Sequence, residues 1–319
     1  MNVLHILGNG FDLNLGLRTS YRDFYKYYSD TENNELVIKK LKEDINLDAD
    51  NWSDLEVKLG EYSAELNKIE FEKVYEDLVD KLCDYLEKEM ESFINSNYDH
   101  SKMFSYLAFP ENYLEVKDKF DITEFVTKEK DIEVTINVLT LNYTRTLEKI
   151  LIGYNKYRYY NVTRDRIAYV LGEIKHIHGY TDNRVVLGVN DLDQIVNKEF
   201  RDDEEVRGMF VKHESNYNQR HGIDNECYSL IENADIFYIY GSSLGKTDKY
   251  IWELVGKRVE KGAKVVIFIR GNGVSFRLGY KITKLREETI SNFNKLAGIS
   301  NEYKNSIYVG IKTDMFRFD

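Results

Sequence analysis

The sequence predicts an α/β fold in which a mostly parallel sheet carries a large helical insertion. Three observations lead there. The chain opens on an apolar strand, Asn2-Val3-Leu4-His5-Ile6-Leu7, that runs into the glycine turn Gly8-Asn9-Gly10-Phe11-Asp12. Four later runs, Val134–Thr140, Ile174–His178, Ile236–Tyr240 and Val265–Ile269, are short, apolar and β-branched, and each ends in turn chemistry. That is the pattern of strands buried on both faces. Helical patterns lie between most of them, as parallel strands require.

In the opening unit, two glycines one residue apart let the chain turn tightly and let backbone N–H groups face an anion beside a helix N-terminus. A plain strand-to-helix turn, with Asp12 as an N-cap or Asx turn, would use the same residues. The third glycine of the dinucleotide fingerprint is missing, because position 13 is Leu13. The acidic residue expected about 20 positions on falls in helical sequence, so a dehydrogenase-type site fits poorly.

From about Thr19 to Lys130 the alternation of strand and helix breaks. Phe71, Val74, Leu78, Leu82, Leu86, Met90, Phe93 and Ile94 recur at steps of three and four, a long amphipathic helix. Asn51-Trp52-Ser53-Asp54-Leu55-Glu56 reads as the start of an earlier helix capped by Ser53. With no Gly/Ser linker, the expectation is a single domain over residues 1–319. It carries an insertion at about 20–130 and a second helical excursion at about 191–233. Val185–Val189 and Ser306–Ile311 are weaker strand candidates.

Three further strand ends carry polar motifs. Thr140-Leu141-Asn142-Tyr143-Thr144 stands where a helix begins, so Asn142 suits an N-cap and Tyr143 a core as well as a site. Lys175-His176-Ile177-His178-Gly179 places two histidines on one face of a strand. No further His, Cys or carboxylate lies nearby at ligand spacing, so no metal is expected. His178, against a glycine at a strand terminus, is the better candidate proton acceptor, and His176 the better candidate core histidine. Tyr240-Gly241-Ser242-Ser243-Leu244, followed by Asp248, offers small hydroxyls and close backbone approach, or simply a loop that caps the next helix. Open α/β sheets bind ligands beyond the carboxyl ends of their strands, so parallel strands would bring all four motifs to one crevice.

Bulk composition narrows the partners. A net charge of −11, from 44 basic and 55 acidic residues, argues against binding through phosphate neutralisation, so nucleic acid is not expected. Two cysteines, Cys83 and Cys227, make neither a disulfide framework nor a four-cysteine zinc site and suit a reducing cytoplasm. No basic n-region opens the chain, and no stretch approaches 18 apolar residues. Neither export nor a membrane span is expected.

Ile6-Leu7-Gly8-Asn9-Gly10-Phe11-Asp12 followed by Gly16-Leu17-Arg18-Thr19-Ser20-Tyr21-Arg22-Asp23-Phe24 closely resembles the opening of AbiH-type bacteriophage abortive-infection proteins. Trp52-Ser53-Asp54-Leu55-Glu56 and Leu141-Asn142-Tyr143-Thr144 are similar to the same family. That family in turn resembles the sirtuin-like group. Its Gly-x-Gly loop, Thr-x-Asn-Tyr-Asp-like and Lys-x-His-Gly strand ends and Gly-x-Ser-Leu-x-x-x-Asp-like segment have counterparts here in the same order. The chain departs from the pattern at Phe11-Asp12, at Thr144 for Asp and at His176 for Lys. It has no zinc-binding cysteine module, which speaks against an ordinary protein deacylase.

The resemblance implies a Rossmann-like, sirtuin-like sheet and NAD, as substrate or ligand, without a metal. It implies Asn142 and His178 as catalytic residues, with Asp12 as a further candidate that would stabilise a cation. Gly8, Asn9 and Gly10 would hold pyrophosphate, Ser242 and Ser243 the adenosine-side hydroxyls, and Thr19, Tyr143, Gly241 and Asp248 would complete the pocket. The implied activity is hydrolysis of NAD to nicotinamide and ADP-ribose in anti-phage defence. A nucleotide-binding sensor without turnover is the rival reading, and a nuclease, which would need clustered carboxylates and a basic groove, the third. NADP or ADP-ribose in place of NAD, homo-oligomerisation and a phage-derived trigger are left open.

Overall fold

The computed structural model describes residues 1–94, 98–128, 132–151, 161–164, 167–271, 274–275 and 277–318. Its sheet comprises β1 (Asn2–Leu7), β2 (Glu133–Thr140), β3 (Asn161–Arg164), β4 (Ile167–His176), β5 (Ile236–Tyr240), β6 (Lys264–Ile269) and β7 (Ile307–Ile311). The spatial order is β3-β4-β2-β1-β5-β6-β7. Six strands run parallel, and β3 pairs antiparallel on the outside of β4. With β3 set aside, the parallel strands follow the doubly wound order 3-2-1-4-5-6, an α/β, Rossmann-like architecture. The chain reverses direction across the sheet between β1 and β5, the position at which such sheets open a ligand crevice.

Both faces of the sheet are covered. Val3, Val134, Ile136, Val138, Tyr238 and Phe268 pack against residues of the helices His100–Ala108, Val116–Thr127 and Thr146–Leu151. Leu4, Ile6, Phe237, Ile239, Val265 and Ile267 face the helices Ile223–Asn233, Lys249–Glu260 and Gly279–Ala297. Central strands with no solvent face explain why they read as continuous apolar runs.

The helical insertion divides by what it buries. Residues of the helices Tyr21–Asp30, Leu36–Leu47 and Leu55–Tyr62, with Phe71–Leu86 of the long helix Lys68–Ile94, form a core away from the sheet. Met90 and Phe93 of that long helix, and Met103–Val126 after it, instead join the sheet core. The excursion after His178 closes on the insertion's core. The Phe71 ring lies 5.1 Å from that of Phe200 and 5.3 Å from that of Phe210, and the Tyr75 hydroxyl donates to the Leu187 carbonyl at 3.1 Å.

Several local expectations shift. The helix at Leu55 is capped by Asp54, whose carboxylate accepts from the Val57 amide, and not by Ser53. Strand β4 begins at Ile167 and ends at His176, so His178 belongs to the turn beyond it and shares no strand face with His176. Val185–Val189 is not a strand. Its amides are spent elsewhere, Val186 on the His178 carbonyl, Gly188 on Glu56 and Val189 on the Phe210 carbonyl, and its apolar side chains fill the insertion's core. Ser306–Ile311 does hold a strand, β7. Strand β3, only four residues long, carried no signal above its surroundings.

Phe210 is completely buried between the two helical excursions. Truncation to Ala should therefore cost about 3–5 kcal/mol in denaturant unfolding. A cost below about 1 kcal/mol would show that the two excursions are not held together through this ring.

Candidate functional site

The four central strands end level with one another. Leu7 pairs with Thr140 on one side and Tyr240 on the other, and Thr140 pairs with His176. Adjacent strands lie about 4.8 Å apart, so the row from His176 to Tyr240 is roughly 14 Å wide. Beyond it stand the four polar motifs, in the order His178, Asn142, Gly8–Asp12 and Gly241–Asp248.

The two loops flanking the reversal point touch. The Gly8 amide donates to the Tyr240 carbonyl at 2.9 Å and the Gly10 amide to the Gly241 carbonyl at 2.7 Å. A Cβ on Gly10 would sit 2.6 Å from Gly241 Cα, and one on Gly8 2.7 Å from Ser242 Cα. The glycines are thus required by the protein's own loop–loop contact. Their amides are committed to it, and among the three only the Asn9 amide makes no such bond. The exposed Asn9 side chain exchanges hydrogen bonds with Thr19, whose carbonyl accepts from Nδ2 at 2.9 Å and whose hydroxyl donates to Oδ1. Thr19 therefore orients Asn9. Ser242 Oγ accepts from the Leu244 amide at 3.1 Å, while Ser243 is exposed at the rim.

Asp12 lies within the short helix Gly10–Asn14 and does not cap it. It is 1% exposed, accepts a hydrogen bond from the Thr144 hydroxyl at Oδ2, and leaves Oδ1 without a partner. Burial pushes its pKa up to about 6, against the pull of the Thr144, Thr146 and Asn142 side chains and of nearby His176. Asn142 is no N-cap either, since the next helix begins at Thr146; its amide donates to Thr140 Oγ1 and its side-chain Oδ1 is buried and unpartnered. Asp12, Asn142, Thr144 and Glu148 help to line a cavity of about 10 Å³, at the lower limit for one water. Glu148 Oε1 meets His176 Nε2 at 2.7 Å, and His176 Nδ1 meets the Asn142 carbonyl at 3.0 Å. His176 is thus a buried, doubly engaged support, as its place on the strand suggested.

His178 is also buried, 4% exposed, but one of its nitrogens is unused. Nε2 lies 2.8 Å from Asp248 Oδ1, and Nδ1 has no partner. The same Asp248 oxygen accepts from Lys212 Nζ at 2.8 Å, and Lys212 donates equally closely to Glu56 Oε2. Glu56 Oε1 accepts from the Gly188 amide at 3.1 Å and from the Tyr143 hydroxyl at 3.4 Å. The half-buried Tyr143 hydroxyl also reaches the Val186 carbonyl, 3.1 Å away, so it braces this network.

These charges shape one another. Burial and then the Lys212 ammonium push the His178 pKa down, outweighing Asp248. Burial alone would raise Asp248, but Lys212 and His178 hold it well below the ordinary carboxylate range. Burial would lower Lys212, yet its two carboxylate partners hold it above the usual lysine value. Burial pushes Glu56 up to about 7 despite the lysine. The result is an anionic Asp248 beside a neutral imidazole.

Glu56 and Lys212 were not among the residues expected at the site. Glu56 sits in the run Trp52–Glu56, which sequence reading assigned to a helix start. Nothing around Lys212 sets it apart from other lysines, and its two partners lie 156 and 36 residues away.

The family model described as "Bacteriophage abortive infection AbiH" matches residues 4–269, well over half of the chain and every residue placed at the site. The chain belongs to the AbiH family. This ties it to abortive infection, the defence against bacteriophage that the family's description names. None of the curated proteins matches the chain. In this AbiH protein, no helix among the described residues is long and apolar enough to cross a membrane.

Asp12 supplies a test of the cavity. Its folded pKa of about 6 exceeds the ordinary 3.8, so between those values the folded protein keeps a proton that the unfolded chain has lost. Stability from this group is fully present below pH 3.8 and is lost as pH rises through 6, a loss of about 3 kcal/mol. Asp12→Asn should therefore be more stable than wild type by up to that amount at pH 8. The difference should shrink as pH falls through 6 and vanish near pH 4. A gap that does not change with pH would contradict a buried, ionisable Asp12.

Proposed function

We propose that this AbiH protein is an abortive-infection effector that hydrolyses NAD to nicotinamide and ADP-ribose at the carboxyl rim of its sheet. The observation that carries the reading is the set of buried polar atoms without partners at that rim: Asp12 Oδ1, Asn142 Oδ1, Glu148 Oε2 and His178 Nδ1. Buried polar groups are normally satisfied, so four beside a topological switch point suit a site that awaits a polar ligand.

The chemistry follows from what these groups can do. The bond from the ribose anomeric carbon to the nicotinamide nitrogen breaks, and the electron pair leaves with nicotinamide. A water oxygen then bonds to that carbon and loses a proton. The leaving group departs as a neutral molecule and needs little acid help, so the work lies in stabilising an oxocarbenium-like ribose and delivering water. Asp12, ionised above about pH 6, supplies negative charge near the developing cation. Asn142 Oδ1 orients the water or a ribose hydroxyl, and neutral His178 accepts the proton at Nδ1. The Asn9 amide and side chain, with Ser243, face the pyrophosphate and adenosine side. In the sirtuin-like pattern a carboxylate follows the Asn-Tyr pair. Here that residue is Thr144, and it donates its hydrogen bond to Asp12, a carboxylate on the short helix after the glycine turn.

A nucleotide sensor without turnover is the rival reading, and one feature bears on both. The Gly8 and Gly10 amides are committed to the neighbouring loop and cannot cradle a phosphate unless the two loops part. Calorimetric binding of NAD without nicotinamide release would identify that behaviour.

Incubation of the purified protein with NAD, followed by chromatography, should yield nicotinamide and ADP-ribose in equal amounts. His178→Ala should lower the rate by about 10²-fold or more, the range for loss of a general base. Undiminished turnover in that variant would remove His178 from the mechanism.

A further inference from the structure

A general base buried in a protein must be held in one tautomer, and the residues that do so for His178 come from outside the sheet. Ionised Asp248 only accepts hydrogen bonds, so the nitrogen facing it must carry hydrogen, which leaves the other nitrogen of a neutral ring with its lone pair. Asp248 is itself fixed from behind. Its Oδ1 takes the Lys212 ammonium at 2.8 Å, and Glu56 holds that ammonium from the opposite side at 2.8 Å. All four side chains are at most 14% exposed. Glu56 reaches His178 by a second path as well: its Oε1 accepts from Gly188, two residues after Val186, whose amide donates to the His178 carbonyl at 2.9 Å.

We propose that Glu56 and Lys212 are positioning residues for His178, acting through Asp248 to keep Nε2 as the hydrogen-bearing nitrogen and Nδ1 bare. Glu56 stands on the helix Leu55–Tyr62 of the insertion and Lys212 on the helix Lys212–Asn218 of the second excursion. The base is therefore assembled only when both helical segments are seated. The proposal rests on the reading of His178 as a proton acceptor. The charged groups that face the imidazole are Asp248, Lys212 and Arg184. Around Glu56 and Asp248 stand Asp54 and the phenols of Tyr21 and Tyr143.

The test reads the imidazole directly. In long-range ¹H–¹⁵N spectra of the labelled full chain, His178 is assigned by the signal lost in His178→Ala. The wild-type ring should show hydrogen on Nε2 and a titration midpoint below the ordinary 6.5. Lys212→Met removes the cation and should raise the midpoint by about one pH unit, with the acid limb of NAD hydrolysis moving alongside. Glu56 holds its proton below about pH 7, so Glu56→Gln mimics it there and should leave midpoint and tautomer as in the wild type. Glu56→Ala withdraws the support behind Lys212 and should mix the two tautomers, whereas Lys212→Arg should keep the wild-type one. A role confined to packing would leave the midpoint unmoved in Lys212→Met. An unchanged tautomer and midpoint in both Lys212→Met and Glu56→Ala overturns the proposal. Should Lys212→Met fail to fold, the tautomer in Glu56→Ala decides alone. A displaced midpoint with no nicotinamide released by any form would uphold the positioning and refute hydrolysis.

Discussion

The ammonium of Lys212 ties the molecule together. It is buried, so taking it out of water costs several kcal/mol, and that is offset only because two carboxylates meet it at 2.8 Å. Those carboxylates belong to separate parts of the chain. Glu56 comes from the helical insertion, Asp248 from the turn after the fifth strand, and Lys212 itself from the excursion that follows the histidine turn. One cation thus joins three segments that the chain order keeps far apart. Removing any member would strand a buried charge, which makes the arrangement a matter of geometry as much as of net stability.

The sheet supplies the complementary constraint. Four neighbouring parallel strands end in one row, and whatever follows each strand is delivered to the same rim. The glycines after β1 serve this by letting that loop lie directly against Gly241 and Ser242. A side chain at Gly8 or Gly10 would drive the two loops apart at the reversal point. Ligand approach and loop packing call for the same residue type here, so glycine alone does not distinguish them. The proposed site rests instead on the buried, unpartnered atoms of Asp12, Asn142, Glu148 and His178.

Much of this was legible in the sequence, for reasons of period and position. Asn2–Leu7 and Ile236–Tyr240 were readable to the residue, because a strand buried on both faces is a bare apolar run between turn residues. Gly8–Asp12, Asn142, His178 and Ser242–Ser243 stood out because the strand itself has no need of a polar motif just past its end. Parallel pairing then placed them together. Three things were hidden. The end of β4 at His176 depends on where the Ile177 and His178 backbone turns, which an apolar pattern does not register. Val185–Val189 imitates a strand because it is buried, although its amides serve side chains and loops. The Glu56–Lys212 pair spans 156 residues, and neither member's local sequence contains its partner. Long-range ion pairs are made by tertiary structure and leave no periodic trace.

Whether the rim where four strands end is a nucleotide pocket can be read from amide chemical shifts during titration with ADP-ribose. The largest perturbations should fall on Asn9, Asn142, His178 and Ser242–Ser243, with little change among the helices at Leu36 and Ile69. Perturbations centred on those distant helices, or a rim left unmoved at millimolar ADP-ribose, would refute the pocket.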